Sequence, residues 1–170
     1  MAKIACLITT MFEDKEYTEP AKAFREAGHK VVTIEKEEGN KVEGKQGVAT
    51  VSVDAGIDHV LPGDFDALFL PGGFSPDILR ADDRFVKFAK HFMDNNKPVF
   101  AICHGPQILI TAKTLEGRTA TGYQSIRVDM EYAGVNYRDE EVVICGNQLV
   151  TSRQPDDIPA FTRESLNLLK

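Results

Sequence analysis

Cysteine is scarce in this chain: three residues in 170, Cys6, Cys103 and Cys145, set far apart. An odd count at such wide spacing excludes a disulfide framework, and no CxxC pair offers a metal or dithiol site. Long apolar runs are missing too, so nothing in the sequence matches a membrane span. The short run Ile4 to Ile8 follows Lys3 but gives way to Glu13 and Asp14, too soon for a secretory signal, and a cytoplasmic protein is expected. There is no GxGxxG and no phosphate loop, so nucleotide binding has no support. Nor is there an excess of basic charge. The net charge is −6 with both signs interspersed, which gives no footprint for nucleic acid. Repeats, low-complexity tracts and linkers are absent, and the length suits a single domain over residues 1–170 with one core.

What is present is an alternation of apolar runs and helical stripes. Ile4 to Thr9 reads as a buried strand. Tyr17, Ala21 and Phe24 then fall on one helical face, with Pro20 assigned to the first turn and Gly28 to the stop. Val31 to Ile34 reads as a second strand, Glu37 to Gly47 as a polar loop or hairpin excursion, and Thr50 to Val53 as a short strand able to pair with it. Ala67 to Leu70 is a buried strand cut off by Pro71-Gly72-Gly73. Phe85, Phe88, Ala89 and Phe92 mark a helix capped by Asp82 or Asp83. Val99 to Ile102 is continuously apolar, as a central parallel strand should be. A helix after Gly105, a hairpin turning on Gly146-Asn147, and a last helix from about Asp157 to Leu169 complete the order. The expected fold class is α/β: an open, mostly parallel sheet sandwiched by helices.

Ligands of such sheets bind beyond the C-terminal strand ends. Three segments are placed there: Thr10 to Glu13, Pro71 to Phe74, and Cys103 to Pro106. Cys103 closes a buried strand, and Gly105 and Pro106 force a sharp turn into the next helix. A thiol at that turn faces the positive end of a helix dipole, which favours the nucleophilic thiolate. His104 has two readings of equal weight: a base swung toward the thiol, or a surface or interface histidine. Glu13 opens the acidic run Glu13-Asp14-Lys15-Glu16. By local pattern it is a solvated acid at a helix N-terminus, and the functional alternative turns it inward to the Cys103 thiol. Gly72 and Gly73 bring N–H groups close to a ligand, and with the His104 N–H they can form an oxyanion hole, though Pro-Gly-Gly would also end a strand without any such role.

Ala101-Ile102-Cys103-His104-Gly105-Pro106-Gln107 closely resembles the nucleophile turn of the PfpI/ThiJ family of intracellular proteases and deglycases, within the class I glutamine-amidotransferase-like superfamily. The resemblance extends along the chain through Phe12-Glu13-Asp14 with Glu16, Leu70-Pro71-Gly72-Gly73, Thr121-Gly122-Tyr123, Gly134-Val135, and Thr151-Ser152-Arg153 with Pro155-Asp156-Asp157. It implies a flavodoxin-like fold with Cys103 as nucleophile and Glu13 as the acid touching it. It implies His104 as the adjoining histidine, and the Gly73 and His104 amides as the oxyanion hole. In the protease-like branch an acid from a neighbouring subunit completes a triad. The matching position is Asp77, one methylene shorter than the glutamate common there. The resemblance further implies homodimers, with hexamers in the protease-like branch, and gives no functional role to Cys6 or Cys145.

Three functions follow from these residues. The first is a stress-protective enzyme on reactive carbonyls or glycation adducts, acting on small carbonyl compounds or glycated protein through a hemithioacetal at Cys103. The second is a cysteine peptidase using Cys103, His104 and a neighbour's Asp77. The third is a redox-sensing or chaperone stress protein, since an accessible low-pKa thiol oxidises readily. No metal, cofactor, nucleic-acid or membrane partner is expected. Glutamine amidotransfer needs a histidine late in the chain, and none follows His104.

Overall fold

The structure, a computed structural model, describes all of residues 1–170. In chain order its elements are β1 (Lys3–Leu7), α1 (Asp14–Glu26), β2 (Lys30–Glu35), β3 (Lys41–Glu43), β4 (Thr50–Ser52) and β5 (Ala55–Gly56). Next come β6 (Ala67–Leu70), α2 (Ser75–Leu79), α3 (Asp83–Asp94), β7 (Val99–Ile102) and α4 (Pro106–Thr111). The chain ends with β8 (Thr119–Ala120), α5 (Arg127–Tyr132), β9 (Asn136–Tyr137), β10 (Val143–Cys145), β11 (Leu149–Ser152) and α6 (Ile158–Leu168).

Seven strands form one sheet in the order β10-β11-β7-β6-β1-β2-β5, parallel throughout except for β10 at one edge. Side chains alternate across it, so each strand feeds two cores. Ala5 and Leu7 of β1, Leu68 and Leu70 of β6, and Val99 and Ala101 of β7 meet Phe85, Phe88 and Phe92 of α3. Ile4 and Cys6, Phe69, and Phe100 and Ile102 meet Tyr17 and Phe24 of α1 and Phe161 of α6 on the other face. Burial on both sides explains why β6 and β7 are unbroken apolar runs.

Several expectations shift by a residue or a turn. The first strand ends at Leu7, because the Thr9 N–H is taken by Ser75 Oγ at 2.9 Å. Asp82, not Asp83, caps α3 by accepting the Arg84 N–H. The excursion is the antiparallel pair β3–β4. The hairpin loop holds three residues rather than two: Gly146 and Asn147 both have positive φ, and Gln148 follows, bonded back to the Cys145 carbonyl. Gln148 leaves the ladder because its buried amide donates to the carbonyls of Phe92, Met93 and Lys97, closing the end of α3. Pro20 lies inside α1, not in its first turn, since the helix already begins at Asp14. That earlier start matters for the site below.

Phe69 is fully buried at the centre of β6. Its ring meets Phe24 edge-on at 5.5 Å, stacks on Tyr17 at 6.4 Å and touches Phe161 at 6.2 Å, joining α1 and α6 to the sheet. Phe69→Ala is expected to lower unfolding free energy by about 3–5 kcal/mol in urea denaturation. A loss under about 1 kcal/mol would contradict this packing.

Candidate active site

The C-terminal ends of β1, β6, β7 and β11 deliver four loops to one cavity of about 460 Å³. Its wall includes Glu13, Glu16, Lys45, Gly73, Asp77, Cys103, His104 and Tyr123. Cys103 sits at φ 62, a left-handed conformation that costs a non-glycine residue about 1–3 kcal/mol. Its backbone is pinned from two sides: its N–H donates to the Ser152 carbonyl at 2.9 Å, and its carbonyl accepts from Tyr123 N–H at 2.8 Å. The turn therefore holds the thiol above the sheet whatever the side chain's own preference.

Two glycines make room for it. A Cβ on Gly72 would collide with the Glu16 carboxyl and come within 2.8 Å of the Cys103 Cβ. Gly73 has φ 77 and packs against the backbone of Met11 to Glu13. The N–H groups of Gly73 and His104 both point at the thiol and favour its ionised form. This is the donor pair expected of an oxyanion hole.

The acid against the thiol is Glu16, and the expectation for Glu13 is corrected. Because α1 starts at Asp14, Glu13 is its N-cap, with extended backbone that sends the side chain to the β3–β4 loop. There it pairs with Lys45 at 3.3 Å and Gln46 at 3.3 Å, at the cavity mouth. Glu16 lies one turn on, on the face shared by Pro20 and Phe24, and is fully buried. That i, i+4, i+8 stripe was the available signal: a glutamate on an apolar helical face. Its Oε1 accepts the Gly72 N–H at 3.0 Å, while Oε2 is buried without a regular hydrogen bond. The carboxyl lies against the Cys103 thiol, close enough that each shifts the other.

Burial raises Glu16 from 4.5 to about 8, against the Cys103 thiol, the Gly72 N–H and the Lys45 charge and with the Glu13 charge, which favours the protonated carboxyl at neutral pH. Burial also pushes the Cys103 thiol up, as does the Glu16 charge, against the two N–H groups. The sequence-based expectation of a thiol held in its ionised form is not met, because burial and the Glu16 charge outweigh the two N–H groups. The Glu16 contribution acts only while that carboxyl is ionised, so the protons belong to the pair.

His104 Nδ1 is 3.3 Å from Cys103 Sγ, its Nε2 is 3.3 Å from Ser125 Oγ, and its ring stacks on Tyr123 at 5.0 Å. Burial lowers its pKa, the Lys45 charge lowers it further, and Asp77 opposes both. Asp77 thus lies in the cavity of its own chain, acting on His104 through charge, with Ser125 rather than Asp77 bonded to the imidazole. Sequence reasoning missed Glu16 and Ser125. The latter reaches the site only through the turn between β8 and α5, which no local pattern announces.

Other parts hold the walls. The Asp14 carboxylate accepts the N–H groups of Gln46, Val48 and Ala49, fixing the loop that carries Lys45. Asp157 grips Arg153 through two oxygens at 2.9 and 3.0 Å, steadying the loop with Pro155. Cys6 is fully buried in β1, and Cys145 accepts from Arg118 Nε at 3.2 Å in the hairpin. No group of three or more His, Cys, Asp or Glu side chains has the arrangement of a metal site. No helix is long and apolar enough to cross a membrane.

Residues 2–168 match the DJ-1/PfpI family. General stress protein 18 of Bacillus subtilis is 70% identical over 168 residues, covering 99% of this chain and 98% of the relative. Protein/nucleic acid deglycase 2 of Escherichia coli is 58% identical over 167 residues, covering 98% and 97%. A further Bacillus subtilis relative, provisionally named cysteine protease YraA, is 60% identical over 168 residues, covering 99% and 98%. With a match along nearly its whole length, the chain belongs to the DJ-1/PfpI family.

Proposed function

We propose that the protein is a thiol enzyme acting on reactive carbonyls or the glycation adducts they form. One observation carries the reading: a single thiol, Cys103, meets the His104 imidazole at 3.3 Å and the buried Glu16 carboxyl in one cavity, and their environments push the two groups' proton affinities in opposite directions. Glu16 is raised to about 8 while His104 is lowered from 6.5. At neutral pH the carboxyl is an acid and the imidazole a free base, both beside one thiol. Such a separation assigns the two roles. The deglycase name of one relative and the stress-protein name of another agree with this chemistry.

In the proposed reaction His104 takes the Cys103 proton as Sγ attacks an aldehyde carbon. The S–C bond forms as the C=O π pair moves to oxygen, facing the N–H groups of Gly73 and His104. Protonation of that oxygen gives a hemithioacetal. With methylglyoxal, loss of the proton from the former aldehyde carbon and its return to the neighbouring carbon convert this adduct to a lactate thioester. Water then releases lactate and restores the thiol. The sum is an isomerisation plus a hydration, with no external oxidant or reductant. Glu16 and His104 supply and remove the protons.

A peptidase is the second reading, supported by the 3.3 Å contact of His104 with Sγ and by the charge of Asp77 on that imidazole. In this reading Cys103 attacks a peptide carbonyl, and Asp77 acts from its own or a neighbouring subunit in a homodimer or hexamer.

Wild-type protein is expected to form lactate from methylglyoxal without glutathione, and Cys103→Ala to form none above background. Equal rates for the two would refute the carbonyl reading. Hydrolysis of unfolded casein that is lost in both Cys103→Ala and Asp77→Asn, with no lactate formed, would favour the peptidase.

Glu16→Gln is expected to lower kcat/KM for methylglyoxal on the order of 10²-fold or more. In the wild type the protonated Glu16 is the competent form, so activity should fall as pH rises through about 8. Stability carries the same sign. A folded-state pKa above the ordinary 4.5 means the folded chain holds more protons between pH 4.5 and about 8. This contribution is full below 4.5 and disappears as pH passes about 8. Urea titrations should show wild type losing a few kcal/mol relative to Glu16→Gln over that window, on the order set by the shift. Parallel pH profiles for the two proteins would show that Glu16 is ionised at neutral pH.

A further inference from the structure

The exposed turn that carries Ser125 is tied to the nucleophile elbow through its backbone. Its approach is fixed where the buried Thr121 N–H donates to Thr151 Oγ1 of β11 at 2.9 Å. A Cβ on Gly122 would meet Met130 Sδ at 2.9 Å and the Cys103 carbonyl at 3.2 Å, so the chain passes directly over the elbow. Tyr137 Oη donates to the Gly122 carbonyl at 2.6 Å, and the Tyr123 N–H donates to the Cys103 carbonyl at 2.8 Å. The Ile126 N–H closes the turn on the Tyr123 carbonyl at 3.0 Å. Between these ties the Tyr123 ring lies 28° from parallel to the His104 imidazole, and Ser125 Oγ stands 3.3 Å from its Nε2. The other charged groups that reach the ring are Lys45 of the β3–β4 loop and Asp77 of α2. Both act through charge alone, since Nδ1 is bonded to Sγ and Nε2 to Ser125.

Counting donors and acceptors gives the ring hydrogen one place. The N–H groups of Gly73 and His104 point at the Cys103 sulfur, and the only side-chain hydrogen bond of Sγ is to Nδ1 at 3.3 Å. With donors facing its lone pairs, the thiol gives its one proton to the acceptor in reach, Nδ1. A neutral imidazole with a bare Nδ1 carries its hydrogen on Nε2. Ser125 Oγ therefore accepts from Nε2–H, and its own O–H is left to solvent, where the residue is exposed. We infer that Ser125 is a positioning residue, which holds the imidazole with Nδ1 facing the thiol and supports the ring as it becomes charged. The inference rests on the base role proposed for His104. When Sγ bonds to carbon, its proton passes to Nδ1 and the ring becomes a cation, while the Nε2 hydrogen stays on nitrogen. The Nε2–H···Oγ bond then becomes charge-assisted, roughly twice as strong as a neutral one. A carboxylate in that place would favour the imidazolium already at rest. The hydroxyl leaves the resting thiol and imidazole uncharged and gives its support mainly once the proton has moved.

Alkylation of Cys103 by iodoacetamide, read by mass spectrometry of its peptide, reports activation of the thiol without any carbonyl substrate. At pH 7 Ser125→Ala should slow it roughly five- to tenfold, the loss of one hydrogen bond. Ser125→Thr keeps the hydroxyl and should restore most of the rate. A turn merely loosened by the substitution would expose the thiol and speed alkylation instead. In nitrogen-15 NMR of the labelled protein, the neutral His104 ring should carry its hydrogen on Nε2. Its titration midpoint should fall in Ser125→Ala and rise by about one pH unit or more in Ser125→Asp. Alkylation of the alanine variant at the wild-type rate or faster, no recovery with threonine, unmoved midpoints, or a ring hydrogen on Nδ1 would overturn the inference. Lactate formation from methylglyoxal separates it from the carbonyl reading. Slowed alkylation in Ser125→Ala with no lactate from wild type leaves the positioning role standing and refutes that reading. Lactate formed equally by both proteins, with alkylation unchanged, does the reverse.

Discussion

The contact between a buried glutamic acid and a buried thiol organises the rest of this molecule. Glu16 can sit beneath Cys103 only if α1 begins early enough to turn it inward, if Gly72 carries no side chain, and if Cys103 holds φ 62. None of these conditions is favourable in isolation. A carboxyl is taken from water, a non-glycine residue is held left-handed, and glycine is fixed in one conformation. The sheet sets the cost against burial of two aromatic-rich cores, which fix the ends of β1, β6 and β7 side by side. The strain sits where those ends meet, as it does at functional sites generally.

Charge in the cavity is arranged in two tiers. At the mouth, Glu13 and Lys45 form a partly exposed pair, with the loop of Lys45 tied down by Asp14. At the floor, burial favours the neutral form of Glu16, and its proton is coupled to that of the Cys103 thiol. Lys45 links the tiers, since its charge reaches both His104 and Glu16. The imidazole is held by Tyr123 and Ser125 of its own chain.

Much of the fold was legible in the sequence because burial on both faces writes strands as unbroken apolar runs and helices as stripes. The elbow was legible for a similar reason: a buried strand running into Cys103, Gly105 and Pro106 leaves the backbone few routes. The acid was harder. Placing Pro20 in the first turn of α1 put Glu16 outside the helix, while Glu13, solvated by local pattern, was turned toward the thiol only by the family resemblance. A start six residues before Pro20 reverses them. The short strands β8 and β9, only two residues each, and α5, of whose six residues only Met130 is buried, carry too few residues for a period to show. Ser125 depends on which loop meets which, and that information lies in the tertiary contacts.

The central claim is that Glu16 carries the proton beside Cys103 at neutral pH. Infrared difference spectroscopy across a pH titration, on wild type and Glu16→Gln, observes that proton directly through the carbonyl stretch of a buried protonated carboxyl. The account predicts a band present at pH 7, absent from the glutamine variant, and lost with a midpoint of about 8. A Glu16 carboxyl already ionised at pH 6 would contradict it.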